Sequence, residues 1–152
     1  MDWFDAVAYS RWANAETSAD WEDFHSYGLP TEAQWEYAAR WRGGDAAPAR
    51  YPWGGSEGRF NSPDNINSGH CNHADPLGRT DRVCSYPAGR SWFGIYNQAG
   101  NVYEWTADWY KADAYSDAGR DDPFTASGSV FRQLRGGGWF GPPFSCLLYT
   151  SP

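Results

Sequence analysis

The stretch from Tyr51 to Gly100 constrains this chain more than any other feature. Over roughly 50 residues hydrophobic periodicity nearly vanishes, while Gly, Pro, Asn, Asp and Ser recur every few positions. Loops in compact domains are far shorter, and stretches of this length are functional or are held by something other than hydrogen-bonded ladders. The same stretch carries Trp53, Phe60, Tyr86, Trp92, Phe93 and Tyr96, whereas disordered segments are poor in aromatics. Ordered loops pinned by rings are implied, and bound metal is one device that stabilises them. The whole chain extends the pattern, with 10 Trp, 10 Tyr and 8 Phe beside 17 Gly and 10 Pro in 152 residues. Large rings, rather than regular elements, fill most of the volume. The composition shows no break that would split the chain, so one domain or one piece of a domain is expected.

Regular structure is expected at four places. Residues 2–13 (DWFDAVAYSRWA) put Trp3, Phe4, Val7, Ala8 and Trp12 at helical spacing behind an Asp2 N-cap, which predicts an amphipathic helix. Pro30-Thr31-Glu32-Ala33-Gln34 reads as a capping box opening a second helix from Glu32 to about Arg42, with Gly43-Gly44 as its stop. Short strands are predicted at 101–105 and 130–135.

A net charge of −7 and a pI near 4.8 oppose the phosphate neutralisation on which nucleic-acid binding depends. No apolar run approaches the roughly 20 residues of a membrane span, and the N-terminus does not resemble a signal peptide. Neither nucleic acid nor membrane is therefore an expected partner of this segment. Cys71 and Cys84 would close a short loop; a bridge in an oxidising compartment and two thiols in a reducing one are both compatible with three cysteines. His70, Cys71, His73 and Cys84 are zinc-type ligands without the paired knuckle spacing, and the plainer reading is a pair of loop histidines. His25 stands alone, and no Walker loop, dinucleotide fingerprint or nucleophile elbow occurs.

Four ordered segments carry a family resemblance: DWFDAVAYSRWA (2–13), GLPTEAQWEYAAR (28–40) with YPWG (51–54), FGIYNQAGNVYEW (93–105) and LRGGGWF (134–140). They are similar to the sulfatase-modifying-factor family, whose best-known activity is formylglycine generation. The resemblance implies an α+β fold, a loop-rich variant of the C-type-lectin fold with two helices, short strands and long metal-stabilised loops. It covers residues 1–140, a partial domain by the family's standard, truncated at both ends. Residues 141–152 form a tail expected to be foreign to the domain, and CLLYTSP resembles translated sequencing-adapter sequence.

By the same resemblance, calcium ligands are expected at Asn97 (side chain), Gly100 and Val102 (carbonyls) and Glu104 (carboxylate), a hard-oxygen set suited to that ion. A second calcium site is implied at Asn61, the Ser62 carbonyl, Asp75 and the Leu77 carbonyl, with Asn65-Ile66 an alternative upstream pair. The plainer alternatives are a buried turn capped by Glu104 and a solvated Asn/Asp-rich loop. Formylglycine-generating members bind copper(I) through two cysteines and oxidise a cysteine of a sulfatase polypeptide with dioxygen. Those cysteine positions correspond here to Gly141 and Cys146, so the pair is not present in this chain. Gly138 and Tyr103 also depart from the Ser and Trp usual in active members. The implied function is formylglycine-generating oxidation. The alternatives are a non-catalytic calcium-stabilised binding module and the substrate-binding domain of an iron-dependent sulfoxide synthase.

Overall fold

The computed structural model describes residues 1–17, 27–44, 49–54, 69–74, 77–116, 121–128, 130–142 and 146. Helix α1 spans Trp3–Thr17 and α2 spans Glu32–Arg40; strands β1 (Glu104–Trp109) and β2 (Arg132–Arg135) pair in a two-stranded sheet. A short 3-10 turn lies at Pro87–Gly89. The expected α+β, loop-rich architecture with two helices is what forms. Two compact units are distinguished: Met1–Glu32 with Trp105–Gln133, and Ala33–Glu104 with Leu134–Pro152.

In the first unit, α1 starts where the sequence predicts. The Asp5 amide donates to Asp2 Oδ1 (2.9 Å) and the Asp2 amide donates back to Asp5 Oδ2 (2.8 Å), a reciprocal cap that satisfies orphan donors at the helix start. The predicted apolar face does not form as one surface. Trp3, Ala6, Val7, Ser10, Ala13 and Asn14 are half-buried, whereas Phe4 and Trp12 are 72% and 54% exposed. At about 3.6 residues per turn, Phe4, Ala8 and Trp12 rotate away from the Trp3–Val7 stripe and onto a separate side of the helix. The Trp3 indole N–H donates to the Thr106 carbonyl (2.9 Å). The Arg132 guanidinium lies 3.6 Å from the ring centroids of both Trp3 and Trp109 and donates to the Ala107 carbonyl (2.9 Å). Buried Asp108 accepts the Glu32 amide (2.7 Å) and the Thr125 amide (2.8 Å) on its two oxygens, and Gln133 Nε2 donates to Glu32 Oε1 (2.7 Å).

The second unit is built on rings, as the composition requires. Trp35 and Ala39 of α2 form one buried cluster; Tyr51, Cys71, Ala99 and Cys146, with Trp53 packed against them, form another. Tyr51 and His70 both stack on Trp53, with centroids 5.0 and 4.8 Å away. Tyr37, Trp41, Trp92 and Phe93 make a further aromatic group. Helix α2 ends at Arg40, although the Trp41 amide still reaches the Tyr37 carbonyl (3.0 Å), and Gly43 and Gly44 then take positive φ, as expected of a stop.

Both strands differ from the prediction at their starts. β1 begins at Glu104 rather than Asn101 because Asn101 sits at φ +64°, a left-handed conformation outside strand geometry. It runs on to Trp109, where the Ala107 amide donates to Pro30 and the Trp109 amide to Thr125. β2 begins at Arg132, with Val130 and Phe131 largely exposed before it.

A candidate calcium-binding loop

The loop from Phe93 to Glu104 is folded by backbone conformations that few residues tolerate. Gly94, Asn97, Gly100 and Asn101 all have positive φ (79°, 58°, 80° and 64°), and Gly and Asn are the residues that visit this region at least cost. At Gly100 a side chain is also excluded by space: a Cβ would lie 2.3 Å from the Asn72 carbonyl oxygen. The Gly100 amide donates to the Gly136 carbonyl (2.7 Å), and the Val102 amide turns back to the Gly100 carbonyl (2.9 Å).

Asn101 is the anchor that the sequence reading missed. Its amide donates to the Asn72 carbonyl (2.8 Å), and its carbonyl accepts from the Trp139 amide (2.9 Å). Its Oδ1 accepts from the Asp81 amide (2.8 Å) and from Asn72 Nδ2 (3.4 Å), and its Nδ2 donates to the Asp81 carbonyl (3.2 Å). Asn72 in turn donates to the Arg79 carbonyl (2.9 Å). Two separate loop segments, at Asn72 and Asp81, are thereby tied to one buried side chain, which stands in for a hydrogen-bonded ladder.

Glu104, the only carboxylate of the expected set within this loop, opens β1. Its Oε2 accepts a hydrogen bond from the Trp35 indole N–H. Trp35 is held by Arg135, whose guanidinium lies 5.1 Å from the indole ring centroid and donates to Glu36 Oε2 (2.9 Å). Burial pushes the Glu104 carboxyl up to about 7, with the indole hydrogen bond pulling the other way. No basic side chain contributes to that balance among the described residues. A desolvated carboxylate without a cationic partner, one oxygen still open, fits a hard cation. The Gly100 carbonyl accepts one hydrogen bond and retains a second lone pair. Asn97 is half-buried, and the Val102 side chain is turned outward, 45% exposed, as suits a residue whose expected ligand is its carbonyl.

Of the second expected calcium site, only Leu77 can be placed; its side chain is 47% exposed. Asn61, Ser62 and Asp75, and the alternative pair Asn65 and Ile66, lie outside the described residues, as does His25. Among the described residues no three His, Cys, Asp or Glu side chains gather as a metal site. The three cysteines are thiols: Cys84 is exposed, while Cys71 and Cys146 are buried and hydrogen-bonded to each other, so Cys71 is not bridged to Cys84. His73 Nδ1 lies 3.6 Å from Cys71 Sγ.

Copper(I) does not fit at the paired-cysteine positions. Gly141 offers only backbone, its amide donating to the Gly138 carbonyl (3.0 Å) and its carbonyl accepting from the Ala74 amide (2.8 Å). The two other departures prove to be neighbours. A Cβ at Gly138 would lie 3.2 Å from Tyr103 Cε2 and 3.1 Å from Phe140 Cε1, so the missing side chain at 138 makes room for those rings. In the first unit a cavity of about 380 Å³ has Glu32 and Asp108 among its lining residues, and the hydrogen bonds described above already employ both carboxylates in holding that unit together.

A family model described as the sulfatase-modifying factor enzyme 1-like domain matches residues 1–151. The chain is 35% identical to the formylglycine-generating enzyme of Streptomyces coelicolor and 38% identical to that of Thermomonospora curvata. Each alignment covers 98% of this chain but only 44% and 46% of the respective enzyme, so the chain spans about half the length of these relatives. Among solved structures, that of PvdO from Pseudomonas aeruginosa superposes with a TM-score of 0.69 at 29% identity, over 97% of this chain and 52% of PvdO. The motifs, the fold and the matched length agree: this chain belongs to the sulfatase-modifying-factor family.

Proposed function

We propose that this chain is a calcium-stabilised module of the sulfatase-modifying-factor fold that serves binding rather than cysteine-pair catalysis. The observation that carries this reading is Glu104, a desolvated carboxylate that accepts an indole N–H and whose balance shows no positive charge among the described residues. Calcium would be held by Asn97, Glu104 and the carbonyls of Gly100 and Val102. It would supply the charge that Glu104 lacks and cross-link a loop with little regular structure. Ion binding to the folded state alone stabilises by mass action, by about 2.7 kcal/mol at a hundredfold excess over Kd. Thermal unfolding with calcium and with chelator tests this. A midpoint several degrees higher with calcium is expected, and the difference should shrink strongly in Glu104→Gln. Identical midpoints would overturn the reading.

Formylglycine-generating oxidation of a sulfatase polypeptide is the second reading, favoured by 35% and 38% identity to two enzymes of that name. Against it stand Gly141 at a cysteine position and the Gly138–Tyr103 packing. Incubating the chain with a cysteine-bearing sulfatase peptide, copper(I) and dioxygen separates the two. Conversion of the thiol to an aldehyde, read by mass spectrometry, would replace the first reading with the second.

A further inference from the structure

The second unit contains a cavity of about 320 Å³, within the range that accepts a small organic molecule. Arg42, Trp53, Gly54, Arg90, Ser91 and Trp92 line it. No carboxylate is among its described lining residues, in a chain whose net charge is −7. The Arg90 guanidinium at this concavity places positive charge there and attracts anions locally.

Gly54 has φ +77°, and a Cβ there would meet Arg42 Cζ and Nε at 3.0 Å, so the bare backbone lets the guanidinium pack flat against it. Arg90 Nε donates to the Pro87 carbonyl (3.0 Å), and its guanidinium lies 5.5 Å from the Tyr96 ring centroid. That leaves the terminal nitrogens of Arg90 as a fork of donors of the kind that pairs with carboxylate or phosphate. Trp53 stacks with Tyr51 and with His70, while Trp92, 64% exposed, stands edge-on to Trp41.

Ser91 gives the second, independent observation. It is 6% exposed, and its Oγ has no hydrogen-bond partner among the described residues. Its backbone is committed at both ends, the amide donating to the Ile95 carbonyl (3.0 Å) and the carbonyl accepting from the Gly94 amide (2.9 Å). A buried hydroxyl left unsatisfied is costly unless something else supplies the bond.

We infer that this cavity is a binding site for an organic oxyanion, a phosphate or carboxylate group carried on a flat apolar body. Arg90 and the Ser91 hydroxyl receive the oxyanion, and the exposed face of Trp92 receives the flat body.

Calorimetric titration of the full chain with phenyl phosphate, benzoate, phenol and inorganic phosphate tests this. Saturable binding of phenyl phosphate or benzoate is expected, and the tighter of the two identifies the oxyanion. Phenol binding as tightly as the charged compounds, or inorganic phosphate binding as tightly as phenyl phosphate, would overturn the inference. So would the absence of binding by both aromatic anions. Arg90→Gln should weaken binding about tenfold or more, the loss of a charge-assisted hydrogen bond. Ser91→Ala should weaken it severalfold while leaving the thermal midpoint of the free protein unchanged or raised, because the free hydroxyl makes no bond to lose. A lowered midpoint with unchanged affinity would make Ser91 a structural residue and sink the proposal.

Discussion

The Trp35 indole N–H donates to the carboxylate of Glu104 across 69 residues of sequence. The bond makes α2 the support for the candidate calcium loop, because it fixes which oxygen of Glu104 faces the helix and which faces away. Groups that orient a metal ligand commonly account for ten- to a hundredfold in affinity. Trp35→Phe keeps most of the buried ring and removes the donor. Calcium affinity, measured by titration against a competing chelator, should fall by about tenfold. An unchanged affinity would mean that the indole only fills space.

The same carboxylate predicts a pH dependence for the metal-free protein. The folded-state pKa of Glu104 is raised to about 7 from 4.5, so over that interval the folded state holds a proton that the unfolded state has released. Stability then falls as pH rises from about 4.5 to above 7, and the full loss is on the order of 3 kcal/mol. In chelator the thermal midpoint should drop across this window, and Glu104→Gln should flatten the drop. Calcium should do the same, since the ion stabilises the charged form. A midpoint in chelator that rises from pH 5 to pH 8 would contradict the assignment.

Much of this arrangement was legible in the sequence, and the parts that were not share a physical cause. The Asp2 cap and the glycine stop at residues 43–44 are set by neighbours within a few positions, so local pattern finds them; the α2 start is marked by its turn residues too, although its first amide is held by Asp108, 76 residues on. Within the described part of the long loop, the rings expected to pin it do pack, Trp53 with Tyr51 and His70, and Trp92 and Phe93 with Trp41. The start of β1 was misplaced because the left-handed turn at Asn101 is stabilised by Asn72 and Asp81, 29 and 20 residues away. Trp35 escaped notice for the same reason. On α1, Phe4 and Trp12 matched a helical period but not the face that the unit covers. Periodicity reports that a face exists; it does not report which neighbour is there to cover it.

Two glycines with nearly the same backbone conformation separate strain from crowding. Gly94 (φ +79°) has nothing within 4 Å of a Cβ, whereas at Gly100 (φ +80°) a Cβ would meet the Asn72 carbonyl oxygen at 2.3 Å. Gly94→Ala should cost about 1 kcal/mol, the left-handed penalty alone. Gly100→Ala adds a backbone collision in a buried turn and should cost at least about 3 kcal/mol. Urea unfolding of both variants reads the difference directly, and equal losses would show that the contact at Asn72 relaxes without consequence.

Asp108 makes a prediction of a different kind, because its two oxygens each accept one backbone amide, from Glu32 at the start of α2 and from Thr125. Asp108→Asn is nearly isosteric but replaces one acceptor by an NH₂ group, which must face a backbone donor whichever way the amide is turned. One N–H is left without its partner in a buried position, and the charge that strengthened the other bond is gone. The expected loss is about 1–3 kcal/mol by equilibrium denaturation. The same variant should leave calcium affinity unchanged, because neither amide belongs to the Asn97–Glu104 ligand set. A fall in calcium affinity comparable to that of Trp35→Phe would instead mean that the start of α2 has to be pinned before Trp35 can hold Glu104.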